Sequence, residues 1–267
     1  MKRKITVRDF HQLKADGKKI CALTAYDAPT ARLAEDAGVH LVLVGDSLGM
    51  TVLGYKNTVP VTLEESLHHC RAVSRGISSA FIVGDMPFMT YHISREQALA
   101  NAAEYLQSAG VDAVKLEGGK KMASTVEALV EAGVPVLGHI GLLPQKVLIS
   151  GGYRIAGRTE KEADRLIEDA VAIQEAGAFA VVLEGIPADL AGRITDTIEI
   201  PTIGIGAGPL CSGQIQVVND ILGMFTDFVP KHAKRYADIG SAIQQALSDY
   251  VQDVQAEKFP GEEHSFS

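Results

Sequence analysis

One pattern of hydrophobic and polar positions recurs four times along the chain. In each repeat a helical pattern ends at Ala-Gly, a short and nearly continuous apolar run follows, and a polar residue lies near the end of the run. The runs are VHLVLVGD after Gly38, VDAVKLEG after Gly110, VPVLGHIG after Gly133 and AFAVVLEG after Gly177. Glycine at this position commonly ends a helix in the left-handed conformation, and continuous β-branched runs are typical of strands buried on both faces. The pattern therefore predicts a parallel sheet covered by helices.

Further strand candidates lie at residues 20–27, 80–85 and 201–208 and, more weakly, near residues 225–230, which brings the number of candidates to eight. Helical patterns lie at residues 30–37, 62–75, 95–109, 122–132, 161–176, 187–197, 212–218 and 235–251. This alternation of strand and helix favours an α/β protein of the closed (βα)8 TIM barrel type. An open sheet of six or seven strands is the alternative, because the eighth strand is the weakest candidate. No linker or change in composition divides the chain, and we expect a single domain over residues 1–267.

The first residues predict a short helix that closes one end of the barrel. Thr6 and Asp9 have the spacing of a helix-starting capping motif. Val7, Phe10 and Leu13 have the spacing of one apolar helix face. A frayed basic tail is the alternative, but no apolar segment of a signal peptide follows. No run in the chain approaches the length of about 18 apolar residues that a membrane-spanning helix needs.

The composition and net charge of the chain limit the classes of partner that it can bind. Hydrophobic residues make up 46% of the chain and charged residues 22%, so a large core can form without disulfides. The formal net charge of -8 argues against nucleic-acid binding, which needs clustered lysine and arginine, and favours small-molecule partners. The three cysteines, Cys21, Cys70 and Cys211, have no C-x-x-C spacing. They indicate buried thiols in a reducing compartment, and we expect a cytoplasmic protein.

Polar residues collect at the carboxyl ends of the predicted strands. In a parallel barrel every strand brings its last residues to the same mouth. The polar residues at these ends are Asp27, Asp46, Ser47, Asp85, Lys115, Glu117, His139 and Glu184. A charge inside an apolar strand costs on the order of several kcal/mol unless it is paired or bound to a metal. So many polar residues at one end therefore predict a functional site.

Asp46 and Asp85 are candidate metal ligands. Two carboxylates at one mouth favour a hard cation with open water positions, typically Mg²⁺, whereas zinc usually takes histidine or cysteine. Glu117 could complete this site directly or through a water molecule. For a single aspartate at a strand end, the alternative is a cap for the following helix.

Lys115 and Glu117 are two residues apart on one strand, so both side chains point to the same face of the sheet. The lysine could neutralise a substrate carboxylate or the oxygen of an enolate, or act as a Schiff-base nucleophile if burial lowered its pKa. The acidic neighbours favour a lysine that stays protonated, which disfavours the Schiff base. A plain ion pair between the two side chains is the structural alternative.

His139 and Glu184 also end strands. A lone strand histidine is often a core residue, but the neighbouring strand ends favour an orienting or oxygen-binding role for His139. Glu184 has no basic neighbour in sequence, and it could act as a general base once apolar surroundings raise its pKa. Capping of the next helix is the alternative for Glu184. GIGAG at residues 204–208 is a weak signal for an anion cradle, and the long loop at residues 142–159 resembles either a lid or a subunit contact.

Eight short motifs carry a resemblance to a known family. They are LTAYD at 23–27, VGDSLGM at 44–50, DMPF at 85–88, KLEGG at 115–119, GHIGL at 138–142, GGY at 151–153, IGIGAG at 203–208 and PGEEHSF at 260–266. With these motifs the chain resembles the ketopantoate hydroxymethyltransferase family along essentially its whole length. Several of them also occur in related Mg²⁺-dependent barrels of the isocitrate lyase and phosphoenolpyruvate mutase group.

The resemblance implies a specific reaction. It is the transfer of a one-carbon unit from 5,10-methylenetetrahydrofolate to 3-methyl-2-oxobutanoate, giving 2-dehydropantoate in pantothenate biosynthesis, through an enolate that Mg²⁺ stabilises. A Mg²⁺-dependent carbon–carbon lyase acting through the same enolate is one alternative. A non-catalytic barrel that binds a keto acid is another.

The resemblance also implies roles for the strand-end residues. Asp46, Asp85 and Glu117 carry over as metal ligands, with Asp46, Ser47, Asp85, Lys115 and His139 as substrate contacts. Glu184 carries over as the catalytic base. Members of the family commonly form large rings, often decamers, so a homo-oligomer is implied as well.

Overall fold

The computed structural model describes residues 3–225 and 230–266. The chain divides into two compact units, one ending at Val217 and the other beginning at Val218. The first unit contains all eight strands of the sheet. The single domain expected over residues 1–267 stays a prediction.

The sheet is a closed barrel whose strands follow one another in sequence order and pair in parallel. Its strands are β1 (Ile20–Thr24), β2 (Leu41–Val44), β3 (Phe81–Asp85), β4 (Ala113–Glu117), β5 (Val136–Gly141), β6 (Ala180–Glu184), β7 (Thr202–Ile205) and β8 (Gly213–Gln216). Pairing of β8 with β1 closes the ring. The predicted (βα)8 barrel is confirmed, and the open sheet is wrong.

The eighth strand is not where the sequence pattern placed it. Residues 212–218 were predicted as helical, but Gly213 pairs with Ile203 of β7 and with Ile20 of β1. A Cβ at Gly213 would lie 2.4 Å from the Ile20 carbonyl oxygen, so the close approach of the two strands requires glycine. The strand predicted near residues 225–230 falls largely on residues 226–229, which lie outside the described residues. The pairing partners of β8 are distant in sequence, and a local pattern cannot show them.

Helices form at seven of the eight predicted segments, within a few residues at each end, and the exception is residues 212–218, which contain β8. In the first unit they are α1 (Val7–Ala15), α2 (Ala28–Asp36), α3 (Leu48–Thr51), α4 (Leu63–Ser74), α5 (Arg95–Ala103), α6 (Ala123–Glu131), α7 (Val147–Ser150), α8 (Glu160–Glu175) and α9 (Ala188–Thr197). A π-helical turn, Glu104–Ser108, extends α5. The second unit contains α10 (Val218–Leu222) and α11 (Ile239–Gln255). None of the described helices is long and apolar enough to cross a membrane.

Helix α1 closes the amino-terminal end of the barrel, as predicted. The Asp9 carboxylate accepts hydrogen bonds from the backbone N–H and the hydroxyl of Thr6, at 2.8 and 2.7 Å, which fixes the start of the helix. Phe10 is 1% exposed and packs edge-on against Phe81, with ring centroids 5.2 Å apart, and against Phe179 at 5.8 Å. Aromatic pairs at this spacing add to the stabilisation from apolar burial. The amino-terminal end of the barrel, called the floor below, is therefore filled by apolar packing. The polar residues at the strand ends lie at the opposite, carboxyl end, which is the mouth.

Candidate active site

The predicted strand-end residues meet at the carboxyl end of the barrel. Sheet register places Asp85 beside Lys115 and Glu117 beside His139 on adjacent strands. Glu184 ends β6, and Asp46 lies two residues beyond the end of β2. The side chains of Asp85, Lys115, Glu117 and His139 are nearly inaccessible to solvent, whereas that of Glu184 is 22% exposed. The structure thus brings these charged residues into one mouth with Glu184 at its accessible edge.

Lys115 forms a buried ion pair with Asp85. The ammonium lies 2.7 Å from Asp85 Oδ1, and the backbone N–H of Asp46 donates to Asp85 Oδ2 at 3.1 Å. Glu117 Oε1 is farther away, at 3.9 Å from the same ammonium. Burial alone lowers the pKa of Lys115, but the carboxylates of Asp85, Glu117 and Asp46 outweigh it and raise the pKa. The lysine is therefore protonated, which disfavours a Schiff-base role, and its close partner is Asp85 rather than Glu117.

The carboxyl groups of Asp46 and Glu117 are also buried at the mouth, and burial disfavours their charged form. Burial, followed by the charge of Asp85, raises the pKa of Asp46 to about 7. Burial also raises the pKa of Glu117 well above its usual range, although Lys115 opposes the shift. Asp46, Asp85 and Glu117 share a single lysine, so negative charge is in excess when all three are ionised. A bound cation would relieve this excess.

The donor set fits Mg²⁺ better than zinc. Among the described residues, no group of three or more histidine, cysteine, aspartate or glutamate side chains is arranged to hold a metal by itself. Mg²⁺ is commonly held by one or two carboxylates together with water and substrate oxygens, so it does not need such a group. Glu117 Oε1 is buried without a hydrogen-bond partner within the described protein. A buried carboxylate oxygen of this kind suits an oxygen-preferring cation.

His139 lies between two carboxyl groups. Its Nε2 is 3.2 Å from Glu184 Oε2, and its Nδ1 is 3.7 Å from Glu117 Oε1. Neither ring nitrogen makes an aligned hydrogen bond within the described protein. Burial, with a smaller effect of Lys115, lowers the pKa of His139 well below its usual range. The imidazole is therefore neutral, so one ring nitrogen carries a hydrogen and the other is an acceptor.

Comparisons with known proteins agree over nearly the whole chain. The sequence model of the ketopantoate hydroxymethyltransferase family matches residues 4–262. The chain is 52% identical over 266 residues to the 3-methyl-2-oxobutanoate hydroxymethyltransferase of Heliobacterium modesticaldum, covering 100% of this chain and 96% of that protein. It is 56% identical over 262 residues to the protein of the same name from Chloroflexus aurantiacus, and the match covers 98% of this chain and 92% of that protein.

The chain belongs to the ketopantoate hydroxymethyltransferase family. Membership confirms the resemblance that the motifs indicated, and it confirms that the chain is an enzyme, a transferase. Solved structures share its fold at much lower identity. A phosphonopyruvate hydrolase in complex with oxalate and Mg²⁺ is 14% identical, with a TM-score of 0.61 over 97% of this chain and 92% of that one. A 2,3-dimethylmalate lyase of the PEP mutase/isocitrate lyase superfamily is 18% identical, with a TM-score of 0.60 over 98% and 91%.

Two further buried residues, Gln145 and Tyr91, lie at this mouth and are not marked by the sequence pattern. Gln145 Nε2 donates to Asp46 Oδ2 and to the Met86 carbonyl, each at 3.0 Å, and the Gln145 backbone N–H donates to Glu117 Oε2 at 3.1 Å. The Tyr91 hydroxyl donates to Gln145 Oε1 at 2.7 Å and accepts from the Glu117 backbone N–H at 3.0 Å. Gln145 thus fixes two carboxyl groups of the mouth at once. Both residues lie in loops, where no strand-end pattern marks them.

Asp27 is a helix cap. Its carboxylate accepts hydrogen bonds from the backbone N–H and hydroxyl of Thr30, at 2.8 and 3.0 Å, at the exposed start of α2. This is the structural alternative for a strand-end aspartate. Ser47, by contrast, stands next to Asp46, and its hydroxyl is hydrogen-bonded to the Tyr26 hydroxyl at 2.8 Å. Its role as a substrate contact stays a prediction.

The loop at residues 142–159 is anchored at both ends to the carboxyl end of β6. The Leu142 N–H donates to the Glu184 carbonyl at 2.8 Å, and the Ala156 N–H donates to the Gly185 carbonyl at 2.9 Å. Between these anchors lie a 3₁₀ turn, Pro144–Lys146, and the short helix α7. The loop therefore borders the mouth, while its function as a lid stays a prediction.

Proposed function

We propose that the chain transfers a hydroxymethyl group from 5,10-methylenetetrahydrofolate to 3-methyl-2-oxobutanoate, giving 2-dehydropantoate in pantothenate biosynthesis. The observation that carries the proposal is the contrast within the mouth. Lys115 and Asp85 form a buried pair, whereas Glu184 lies at the accessible edge beside neutral His139. Charged groups that can bind substrate oxygens and an accessible carboxylate that can act as a base thus lie at one mouth, as an enolising enzyme requires. Family membership and the names of the relatives support the same reaction.

Asp46, Asp85 and Glu117 are the residues that would hold Mg²⁺, directly or through water. When bound, Mg²⁺ would attract the carboxylate and keto oxygens of the 2-oxo acid and stabilise the negative charge of its enolate. The protonated Lys115 adds a second positive charge at the same mouth, which also favours negative charge on substrate oxygen. Ser47 and His139 would contact the substrate from the neighbouring strand ends.

Glu184 would remove the proton from carbon 3 of 3-methyl-2-oxobutanoate. The resulting enolate carbon forms a bond to the methylene carbon of the folate, and the bonds from that carbon to the two folate nitrogens break. Water supplies the hydroxyl group of the product. The proton from carbon 3 and one proton from the water end on the two nitrogens, so tetrahydrofolate leaves as the balanced second product.

Proton exchange in D₂O tests the enolisation step without the folate. We expect NMR to show rapid loss of the carbon-3 proton of 3-methyl-2-oxobutanoate when protein and Mg²⁺ are both present. Glu184→Gln keeps the size of the side chain but removes the base, so exchange should fall by about 10²- to 10⁴-fold. Glu168→Gln, at an exposed glutamate of α8, is the matched control and should exchange at the original rate.

Four results would contradict the proposal. Retained exchange in Glu184→Gln would remove Glu184 as the base, and exchange that continues in EDTA would remove the metal. Cleavage of a 2-hydroxy diacid without folate-dependent product would identify a lyase. Binding of the keto acid with neither exchange nor product would identify a non-catalytic barrel.

We also infer a cytoplasmic homo-oligomer, with the decamer that the family resemblance implies. Cys21, Cys70 and Cys211 form no disulfide, which suits a reducing compartment. The proposed partners are small-molecule substrates, with no nucleic acid and no membrane, in keeping with the net charge of -8. Analytical ultracentrifugation of the full chain measures the number of subunits.

A further inference from the structure

Two buried hydroxyl groups hold the backbone of Asp85 from the helix side of the barrel. The Tyr105 hydroxyl donates to the Asp85 carbonyl at 2.7 Å, and the Ser66 hydroxyl donates to the same carbonyl at 3.1 Å. The two hydroxyl oxygens lie 2.7 Å apart, and both side chains are 0% exposed. A carbonyl oxygen can accept two hydrogen bonds. Neither side chain has a part in the proton abstraction described above.

These hydrogen bonds lie where pairing between β2 and β3 ends. The last register pair of the two strands is Val44 with Gly84, one residue before Asp85. The N–H of Asp46, two residues beyond β2, donates to the carboxylate of Asp85. A buried carbonyl at the end of a strand still needs hydrogen-bond partners. The two hydroxyls supply them, so helix-side residues hold the Asp85 backbone where the pairing with β2 stops.

The local sequence makes room for Tyr105 against β3. A Cβ at Gly84 would lie 2.7 Å from Cε1 of the Tyr105 ring and closer still to Cδ1, so the ring fits only beside glycine. Tyr105 itself lies in the π-helical turn Glu104–Ser108 that extends α5. Such turns are rare and frequently occur at functional sites. Strand and turn together place a phenol hydroxyl next to the backbone of one residue of the mouth.

We propose that Tyr105, together with Ser66, is a positioning residue for the carboxylate of Asp85, an inference that rests on the proposed function. The two hydroxyls bind the Asp85 carbonyl, while the Asp85 carboxylate faces Lys115 at 2.7 Å. Asp46 and Glu117 repel this carboxylate when all three are ionised, and a fixed backbone resists the displacement. Mg²⁺ tolerates little departure from octahedral geometry, so a displaced Asp85 binds it less tightly.

Titration of the full chain with Mn²⁺ alone tests the positioning role, because free Mn²⁺ gives an electron paramagnetic resonance signal that is lost on binding. Tyr105→Phe keeps the ring beside Gly84 but removes the hydroxyl, and the Kd for Mn²⁺ should rise about tenfold. Ser66→Ala should raise the Kd less, because its hydrogen bond is the longer one, and the double variant should raise it most. Tyr55→Phe is the matched control. It removes a hydroxyl that donates to Glu65 at the start of α4, and it should bind Mn²⁺ as the original chain does.

Proton exchange of 3-methyl-2-oxobutanoate separates positioning from chemistry. In Tyr105→Phe more Mg²⁺ should be needed, but the exchange rate at saturating Mg²⁺ should approach that of the original chain, because Glu184 is untouched. An unchanged Kd for Mn²⁺ in Tyr105→Phe and in the double variant, with only a lower urea midpoint, would overturn the inference. An equal rise of the Kd in Tyr55→Phe would also overturn it. Failure of the original chain to bind Mn²⁺ or to exchange the proton would instead count against the proposed function.

Discussion

Each end of the barrel contains a lysine, half-buried at one end and fully buried at the other, and the two lysines have opposite kinds of partner. At the amino-terminal end, Lys14 donates to the carbonyls of Ile198 and Ile200, at 2.7 and 3.0 Å, and so satisfies neutral backbone groups near the end of α9. At the carboxyl end, Lys115 faces Asp85 in a site that also contains Asp46 and other acidic groups. One lysine ties elements together, while the other partly offsets a local excess of negative charge.

This difference indicates that the floor of the barrel serves stability, whereas the mouth serves binding and catalysis. The floor consists of apolar packing and of charges held by backbone groups, which need no ligand to be satisfied. The mouth contains acidic groups with raised pKa values, among them Asp46 at about 7 and Glu117 well above its usual range. Such groups are poorly satisfied until a cation or substrate arrives. Substitutions at the floor should therefore change the free energy of unfolding, and substitutions at the mouth should also change binding.

The largest effect on stability should come from the floor. Phe10→Ala removes a ring that packs against both Phe81 and Phe179, and it should lower the free energy of unfolding by about 3–5 kcal/mol. Chemical denaturation measures this loss. The exchange rate per folded molecule should stay unchanged, because α1 lies at the end opposite the mouth. Leu33→Ala, at a side chain 70% exposed, is the control and should change stability by less than about 0.5 kcal/mol. A lower exchange rate per folded molecule in Phe10→Ala would show that the two ends of the barrel are not independent in this way.

Gln145→Met, at the mouth, should lower stability and should also weaken the response to Mg²⁺. The change keeps the length of the side chain and the backbone N–H bond to Glu117, but it removes the amide that binds Asp46 and the Met86 carbonyl. Stability should fall by about 1–3 kcal/mol, because buried partners lose their hydrogen bonds. More Mg²⁺ should also be needed for half-maximal proton exchange, as measured by NMR. Tyr91→Phe, which leaves the Gln145 amide in place, should shift the Mg²⁺ requirement less. An unchanged Mg²⁺ requirement in Gln145→Met would limit Gln145 to packing.

The smallest expected effect is a pH dependence of the free energy of unfolding, caused by Glu35 at the floor. Glu35 accepts backbone N–H bonds from Ser78, Ser79 and Ala80 at the amino-terminal end of β3. Burial raises the pKa of Glu35, but the N–H groups of Ala80 and Ser79 outweigh it and lower the pKa from 4.5 to about 2. A carboxyl group with a lowered folded-state pKa stabilises the protein above its unfolded-state pKa, and this stabilisation is lost as the pH falls towards about 2.

Glu35→Gln should therefore cost about 1–2 kcal/mol at pH 7, with solvent screening taken into account. The difference from the original chain should shrink between about pH 5 and pH 2. Urea denaturation across this range measures the difference, and the exposed Glu168→Gln should show none of it. A difference that does not depend on pH would mean that the charge of Glu35 has no part in stability.

The sequence by itself determined the features that depend on residues close together in the chain. The helix–glycine–strand repeat located four strands, and three further apolar runs located β1, β3 and β7. Thr6 and Asp9 located the start of α1. The ends of β3, β4 and β6 also followed from the sequence, because each of these strands ends at a carboxylate that closes an apolar run. Since parallel strands end at a common mouth, Asp85, Lys115 and Glu184 could be grouped before any contact was known.

The tertiary structure decided what depends on partners far away in sequence. Strand β8 is short and half polar, and it is a strand because β1 and β7 pair with it on either side. Gln145 joins Asp46 across 99 positions of sequence, a contact that no local pattern encodes. Asp27 and Asp46 both follow strands, yet one caps a helix and the other lies buried among charges. The direction that each backbone takes after the strand makes this choice, and packing of the surrounding loops sets that direction.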